Sequence, residues 1–359
     1  MTSPSDPTDT PPPPDEIDAL STRFEWGPLE FDSSPLYQAL SPVVAQDRSL
    51  LELLLHRPPG QQPTNLFFGA VHYLVLKNPS DALAAYFASV AGDQVMDPAL
   101  VAPPFRDFCS RHREELAELI RTRLVQTNVV KRSAALRLAL ALLRSEFDSI
   151  HLIEVGSSAG IHLRNDRYAF QIGGRSFGPA DASLTIETEW RSEVQPPDLD
   201  DCPVFLSTTG LDLHPIDIRS ADDRYWLRAL VWPENTSEAV QLEAALEAVA
   251  LDPPRMLEGD AIERCQELAD QFPEGEPRVV FHAATRAHVP QERRAQFDES
   301  LDRLGRTGSL VVVSLEGARP GEPTHPGGPS HLLTIRRPDQ ESRYVAHVEG
   351  HADWIEPIA

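Results

Sequence analysis

The feature that most constrains the fold of this chain is a change of hydrophobic period at about Ser149. Before it, residues 20–143 carry apolar side chains at three- and four-residue spacing, which is the period of amphipathic helices. After it, short runs such as IHLIEV, RVVFHAA and SLVVVSLEG alternate with helical stretches. Strands that alternate with helices indicate a parallel sheet with crossover helices. The pattern predicts an all-helical N-terminal region followed by a Rossmann-like, doubly wound α/β part.

The end of the chain departs from this alternation. Residues 331–351, HLLTIRRPDQESRYVAHVEGH, contain two strand patterns separated by the turn PDQ. A terminal hairpin makes the last strand antiparallel, which is a feature of class I methyltransferases, whereas an ordinary dinucleotide-binding sheet is expected to be parallel throughout. The predicted domains are a disordered leader (1–19), a helical domain or lid (20–145) and a sheet domain (146–359) with an insertion at about 173–201.

Charge and composition exclude several classes of partner. The net charge is −23, with 55 acidic and 32 basic residues spread along the chain, so binding to nucleic acid is not favoured. No signal-peptide pattern or membrane-spanning stretch is found, and the three cysteines are too scattered for a disulfide framework, so a cytoplasmic location is expected. The acidity fits either a protein adapted to high salt or an ordinary acidic cytosolic protein, and the oligomeric state stays open.

The first predicted strand ends in EVGSSAG, residues 154–160, where ligands of open α/β sheets bind. Gly156 would turn the chain, Ser157 and Ser158 would let a ligand approach the backbone, and Gly160 would open a helix whose amides can face a carboxylate. Beginning at Glu154, this E-x-G-x-x-x-G spelling resembles motif I of S-adenosylmethionine-dependent methyltransferases, with Ser158 in place of a common glycine. A tight turn that binds no ligand would have the same sequence pattern.

Three later strand ends extend this hypothesis. Asp212 would accept hydrogen bonds from both ribose hydroxyls, or it is an ordinary loop aspartate. Asp260 and Ala261 resemble the methyltransferase turn that holds adenine, although Asp260 is also a candidate helix N-cap. His282 would face the transferring methyl group as a general base or substrate orienter, or it is a structural histidine. No metal site is predicted, because Gly350 and a strand context break the helical spacing of His347 and His351.

Several motifs together resemble one family over about residues 36–355. They are QTN at residues 126–128 with Arg132, then EVGSSAGIHLRNDRY, GLDLHPID, RYWLRALVWPE, EGDA, FHAA and GHADW. The chain is similar to the prokaryotic family known as domain of unknown function 2332, which implies a helical N-terminal part, a Rossmann-like C-terminal part and no established activity. It departs from the family pattern at Val129, where an acid is common, and at Ala283 and Ala284, where a hydroxyl residue is commoner.

A further group of residues is predicted to contact the substrate or to form a lid. Arg224 and Arg228 share one face of a predicted helix and could bind an acidic substrate, or they pair with surface acids. Arg164 and Asn165 would line the same mouth. Gln126 and Asn128 would cover the cofactor.

Three functions remain open from the sequence. The first is an S-adenosylmethionine-dependent methyltransferase that acts on an unknown small molecule. The second is a nicotinamide-dependent oxidoreductase, against which the missing G-x-G-x-x-G motif and the terminal hairpin argue. The third is a non-catalytic Rossmann-like scaffold used for binding.

Overall fold

The structure is a computed structural model that describes residues 14–305, 309–338 and 340–358. Its first element, helix α1, begins at Pro14. Residues 14–19 of the predicted leader are therefore helical, and Ile17 among them is buried in the helical core. The rest of the predicted leader lies outside the described residues.

Thirteen α-helices and eleven strands occur in the described residues. The helices are α1 (Pro14–Glu25), α2 (Gly27–Glu30), α3 (Pro35–Ala45), α4 (Arg48–Leu53), α5 (Pro63–Lys77), α6 (Ala88–Ala91), α7 (Ala102–Arg111), α8 (Arg113–Thr122), α9 (Arg132–Leu143), α10 (Ala221–Leu230), α11 (Thr236–Leu251), α12 (Ala261–Ala269) and α13 (Arg294–Arg303). The strands are β1 (Ser149–Val155), β2 (Ala169–Ile172), β3 (Arg175–Phe177), β4 (Thr185–Trp190), β5 (Val204–Asp212), β6 (Arg255–Glu258), β7 (Arg278–Ala283), β8 (Leu310–Gly317), β9 (His331–Arg336), β10 (Arg343–Val348) and β11 (Trp354–Pro357). None of these helices is long and apolar enough to cross a membrane.

The chain divides into two compact units. The helical unit contains the described residues up to Thr127 together with Ala221–Ala239, and the sheet unit contains Asn128–Ser220 and the described residues from Val240 onward. This division differs from a single boundary at residue 145. The first core is helical and aromatic, with Phe24 and Phe31 edge-on to Phe68 and with Tyr37 stacked on that same ring.

The sheet unit has an eleven-stranded mixed sheet in the order β3-β2-β4-β11-β10-β9-β8-β7-β1-β5-β6, counted over the described residues. Strands β6, β5, β1, β7 and β8 are neighbours in parallel pairs. In this order, β5 and β6 lie on one side of β1, and β7 and β8 lie on the other side. The carboxyl ends of β1 and β7 therefore flank a topological switch point, which is where open α/β sheets bind ligands.

The terminal hairpin is present, but its pairing differs from the predicted one. Strand β9 is antiparallel to β8, and β10 is antiparallel to β9 on its outer side. It is therefore the first strand of the hairpin, not the last, that runs against the parallel strands beside it. The predicted insertion at 173–201 holds β3 and β4, and β4 extends the sheet by pairing in parallel with β11 and β2.

Helices cover both faces of the sheet. On one face, α12 and α13 share a core with Val155, Val280 and Val312. On the other face, the His162 ring packs edge-on against Phe281 and its Nδ1 lies 2.8 Å from the Ser133 hydroxyl of α9. Helix α9 thus belongs to the sheet unit because its buried side chains pack there.

Candidate functional site

The turn after β1 has a backbone shape that most side chains disfavour. Gly156 has φ +75°, and a Cβ added there would lie 2.3 Å from the Thr285 Oγ1. Ser158 has φ +49°, a left-handed conformation that costs an L-residue about 1–2 kcal/mol. The site therefore keeps the glycine-type conformation at the position where the sequence carries serine.

Hydrogen bonds fix Ser158 in this conformation. Its backbone N–H donates to Asp212 Oδ2 over 2.8 Å, and its carbonyl accepts from the Ile216 N–H over 3.1 Å. Its hydroxyl oxygen accepts from the Asn128 amide over 3.0 Å. These contacts, at the close approach of the turn to β5, explain how a serine is held in an αL position.

Asp212 joins three of the predicted strand ends. One carboxylate oxygen accepts from Ser158 and the other accepts from the His214 N–H over 2.8 Å. Its carbonyl accepts from the Gly259 N–H over 2.8 Å. The Asp212 carboxylate and carbonyl thus connect the turn after β1 to the ends of β5 and β6.

Glu154 and Ser157 carry buried polar atoms without partners. Glu154 is 3% exposed, and neither its Oε2 nor the Ser157 Oγ has a hydrogen-bond partner in the part of the chain that the structure describes. Burial raises the pKa of the Glu154 carboxyl well above its usual range, and the negative charge of Asp212 raises it further. Unpartnered buried polar atoms are costly, so their clustering at this turn marks it as a place where a ligand can supply the partner.

The helix predicted to open at Gly160 is not formed. Residues Ile161–Arg167 form 3₁₀ turns, with Arg164 in a non-helical conformation. An α-helix N-terminus directed at a ligand carboxylate is thus absent from this described segment. Gly160 itself is left-handed, with φ +72°, and its amide donates to the Ser157 carbonyl over 2.7 Å.

Asp260 begins helix α12 and already has two partners. Its Oδ1 accepts from the Ile262 N–H over 2.9 Å, which makes it the N-cap, and its Oδ2 lies 3.0 Å from the Arg293 guanidinium. Ala261 is the first helical residue and is buried. The candidate adenine position is therefore occupied by a cap and an ion pair.

His282 faces the side of the sheet opposite to Glu154. The ladder pairs Glu154 with Phe281, and successive strand residues point to opposite faces, so His282 points toward α13. There its ring lies edge-on to Phe297, and its Nδ1 lies 2.8 Å from the Glu316 Oε1. The structure does not bring the predicted base together with the turn after β1.

His282 instead borders a small polar cavity of about 30 Å³, room for one or two water molecules. Ser314, Glu316 and Thr334 line it from the sheet, and Asp298 lines it from α13. In the described residues no group of three or more His, Cys, Asp or Glu side chains could hold a metal ion.

Arg164 and Asn165 do not line an open mouth. Arg164 is buried and donates to the carbonyls of Asp252 and Leu163, and Asn165 is fully buried and donates to the His162 carbonyl. Both side chains are used to hold the 3₁₀ turns. That they contact a substrate stays a prediction, and the Asn165 Oδ1 is buried without a hydrogen-bond partner among the described residues.

The remaining predicted residues lie in different units. Asn128 belongs to the sheet unit and contacts Ser158, whereas Gln126, Arg224 and Arg228 belong to the helical unit. On α10, Arg224 is half-buried and Arg228 is exposed. Trp226 of the same helix is buried and donates to the Leu124 carbonyl over 2.8 Å, so the tryptophan of this motif has a packing role.

A family described as uncharacterized protein conserved in bacteria (DUF2332) matches residues 28–356. The chain belongs to the DUF2332 family. No match was found among curated proteins.

Two residues of this DUF2332 chain were missed by sequence reasoning. Thr285 contacts the turn after β1, and Glu316, at the end of β8, accepts hydrogen bonds from residues that follow β7. Both lie at the carboxyl ends of parallel strands, which is the signal that could have found them. Thr285 follows the fourth predicted strand but matches no methyltransferase motif, and Glu316 ends a fifth strand, for which no site residue was predicted.

Proposed function

We propose that this DUF2332 protein binds S-adenosylmethionine at the carboxyl ends of β1 and β5 and acts as a methyltransferase on an unidentified small molecule. The observation that carries the proposal is a pair of buried atoms, Glu154 Oε2 and Ser157 Oγ, that have no hydrogen-bond partner among the described residues. S-adenosylmethionine has a methionine ammonium group, and an ammonium beside Glu154 would let that buried carboxyl ionise.

The other predicted contacts with S-adenosylmethionine are supported to different degrees. The Asp212 carboxylate, which accepts from the Ser158 and His214 amides, lies at the end of β5, where it would face the ribose hydroxyls. Asp260 would have to share its carboxylate between the α12 cap, Arg293 and an adenine amine. The strongest support therefore comes from the amino-acid and ribose ends of the ligand and the weakest from the adenine end.

When bound, S-adenosylmethionine supplies an activated methyl group on a sulfonium. The residues of the chain would align this ligand and exclude water from the site. The backbone of the 156–160 turn would contact the ligand, and the Glu154 carboxylate would bind its ammonium group. Because His282 faces α13, we assign it no proton transfer at this site.

A second candidate function is a binding scaffold that transfers no methyl group. The observation that favours it is the engagement of two predicted functional groups elsewhere: His282 with Glu316, and Asp260 with Arg293. The antiparallel pairing of β9 with β8 does not fit the fully parallel sheet expected of a nicotinamide-dependent oxidoreductase.

Thermal unfolding with S-adenosylmethionine or S-adenosylhomocysteine, in high salt, tests the proposal. A ligand at a hundredfold excess over its Kd stabilises the folded state by about 2.7 kcal/mol, so the melting temperature should rise by several degrees. The rise should be lost in Glu154→Gln and in Asp212→Ala. It should persist in Asp302→Asn, which removes an acid of α13 that pairs with Arg336.

The outcomes separate the candidates. A melting temperature that does not change at millimolar ligand contradicts the proposal. Saturable quenching of the protein's fluorescence by NADH would support the oxidoreductase instead. Binding together with no methyl transfer to oxygen, nitrogen, sulfur or carbon acceptors would favour the scaffold.

A further inference from the structure

The turn after β1 is in direct contact with the segment that follows β7. The Thr285 hydroxyl lies within donating distance of two carbonyls, that of Val155, the last residue of β1, at 3.1 Å and that of Ala283, the last residue of β7, at 3.2 Å. Its Oγ1, Cγ2 and Cβ all lie within 3 Å of the position that a Cβ on Gly156 would take. The side chain of Thr285 therefore occupies the space above Gly156 and ties the end of β1 to the end of β7.

Thr285 is in turn held by Glu316 at the end of β8. A single carboxylate oxygen, Glu316 Oε1, accepts from the backbone N–H groups of Thr285 and Arg286 over 2.9 and 3.0 Å. The same oxygen lies 2.8 Å from the His282 Nδ1. Two backbone donors and a histidine nitrogen around one oxygen of a buried carboxyl are consistent with an ionised Glu316.

The charge of Glu316 follows from the balance of these contacts. Burial alone would raise the pKa of the carboxyl, but the hydrogen bond and charge of His282 and the two backbone amides outweigh it, so the pKa lies below its usual value. The segment it holds includes Ala284 with φ +53°, a left-handed conformation that needs such external support.

We infer that Glu316 and Thr285 are positioning residues that set the conformation of the ligand-binding turn at 156–160. The inference rests on the proposed function only for the identity of the ligand. Glu316 fixes the backbone at Thr285, and the Thr285 hydroxyl fixes the carbonyl before Gly156. Neither side chain needs to touch a ligand, so both act through the shape of the turn.

Hydrogen exchange tests this inference without any ligand. The amides of Gly156, Ser158 and Gly160 are hydrogen-bonded, so their exchange reports how often the turn opens. In Thr285→Val, which keeps the bulk above Gly156 but removes the hydroxyl, these amides should exchange about tenfold faster. Glu316→Gln should have a similar effect.

Three controls separate positioning from general destabilisation. Thr285→Ser restores the hydroxyl and should return exchange to within about threefold of the wild-type rate. Asp302→Asn, outside the network, should leave the turn unchanged. Peptides from β10 should exchange equally in all variants, since that strand does not contact the turn.

A ligand measurement completes the test. The Kd for S-adenosylhomocysteine should rise at least about tenfold in Thr285→Val and stay near wild type in Thr285→Ser. If the wild-type protein binds no such ligand, the proposed function fails while the exchange result still decides the inference. Unchanged exchange at 156–160 in both Thr285→Val and Glu316→Gln, or equal acceleration in β10, would overturn it.

Discussion

Several individual residues at the turn after β1 have conformations or environments that are unfavourable for folding. Ser158 keeps a left-handed backbone through bonds to Asp212, Asn128 and Ile216, and Glu154 stays buried without a partner for Oε2. Each arrangement is unfavourable for folding considered alone. Unfavourable residues concentrated at one place are characteristic of functional sites.

The buried Glu154 carboxyl should make stability depend on pH in a definite direction. Its pKa is raised in the folded state, so folding takes up a proton above the unfolded value of about 4.3, and stability falls as pH rises from there. Glu154→Gln removes this dependence. The variant should match the wild type near pH 4 and have a higher melting temperature at pH 7–8. The gain in its free energy of unfolding should be at most about 1.4 kcal/mol for each pH unit above the unfolded pKa.

The matched control is Glu316→Gln, for which the expected pH dependence of stability has the opposite sign. Glu316 has a lowered pKa, so its contribution is present above about pH 4.3 and is lost as pH falls through the folded value. Glu316→Gln should therefore be less stable than wild type at pH 7, with the difference shrinking in acid. Thermal unfolding from pH 4 to 8 measures both variants, and a Glu154→Gln curve parallel to wild type would contradict the assignment.

At the scale of the element, helix α12 shows how a structural role and a functional role compete for one residue. The Asp260 carboxylate accepts from the Ile262 amide in the first turn of the helix and pairs with Arg293. A ligand amine at the same carboxylate would have to leave the cap intact. The cap is thus the role that the structure shows for Asp260.

Two substitutions of Asp260 separate the cap from the ion pair. Asp260→Ala should cost about 1 kcal/mol for the cap plus up to about 1 kcal/mol for the partly exposed pair. Asp260→Asn keeps an acceptor for the Ile262 amide and should lose only the second part. Urea unfolding midpoints measure the difference, and equal losses in the two variants would mean that the cap contributes nothing.

Periodicity predicted most elements of the sheet because strands and helices bury side chains with different periods. IHLIEV, RVVFHAA and SLVVVSLEG became β1, β7 and β8, and the terminal hairpin became β9 and β10. The 3₁₀ turns at Ile161–Arg167 were not predictable, since the local sequence is compatible with a helix and buried contacts of Arg164 and Asn165 decide the outcome. Predicting which face of the sheet His282 occupies requires the register between β1 and β7, and a single sequence does not give that register.

At the scale of the whole molecule, the large negative net charge is the main electrostatic influence on stability. A net charge of −23 on 359 residues produces self-repulsion that opposes the compact state. Only two of the basic residues are lysines, Lys77 and Lys131, and each pairs with an aspartate, the first with Asp222 and the second with Asp353. Such local ion pairs offset only a small part of the repulsion between the excess acidic residues.

Salt should therefore stabilise the protein. Raising KCl from 0.1 to 1 M shortens the screening length from about 10 to about 3 Å, so repulsion between surface acids weakens more than the close ion pairs do. The melting temperature should rise steadily over this range. A neutral osmolyte at equal osmolality is the control, and a melting temperature that is flat or falls with KCl would exclude the salt-adapted interpretation of the composition.

The division of the chain into units has a consequence for biosynthesis. The helical unit is interrupted after Thr127 and is completed only by Ala221–Ala239, which lies between two parts of the sheet unit. A ribosome adds roughly 5–20 residues each second, so the first helices wait several seconds for Trp226, a member of their own core. During that interval the nascent chain exposes an incomplete apolar core, and chaperone dependence should be greatest between the emergence of α8 and that of α10.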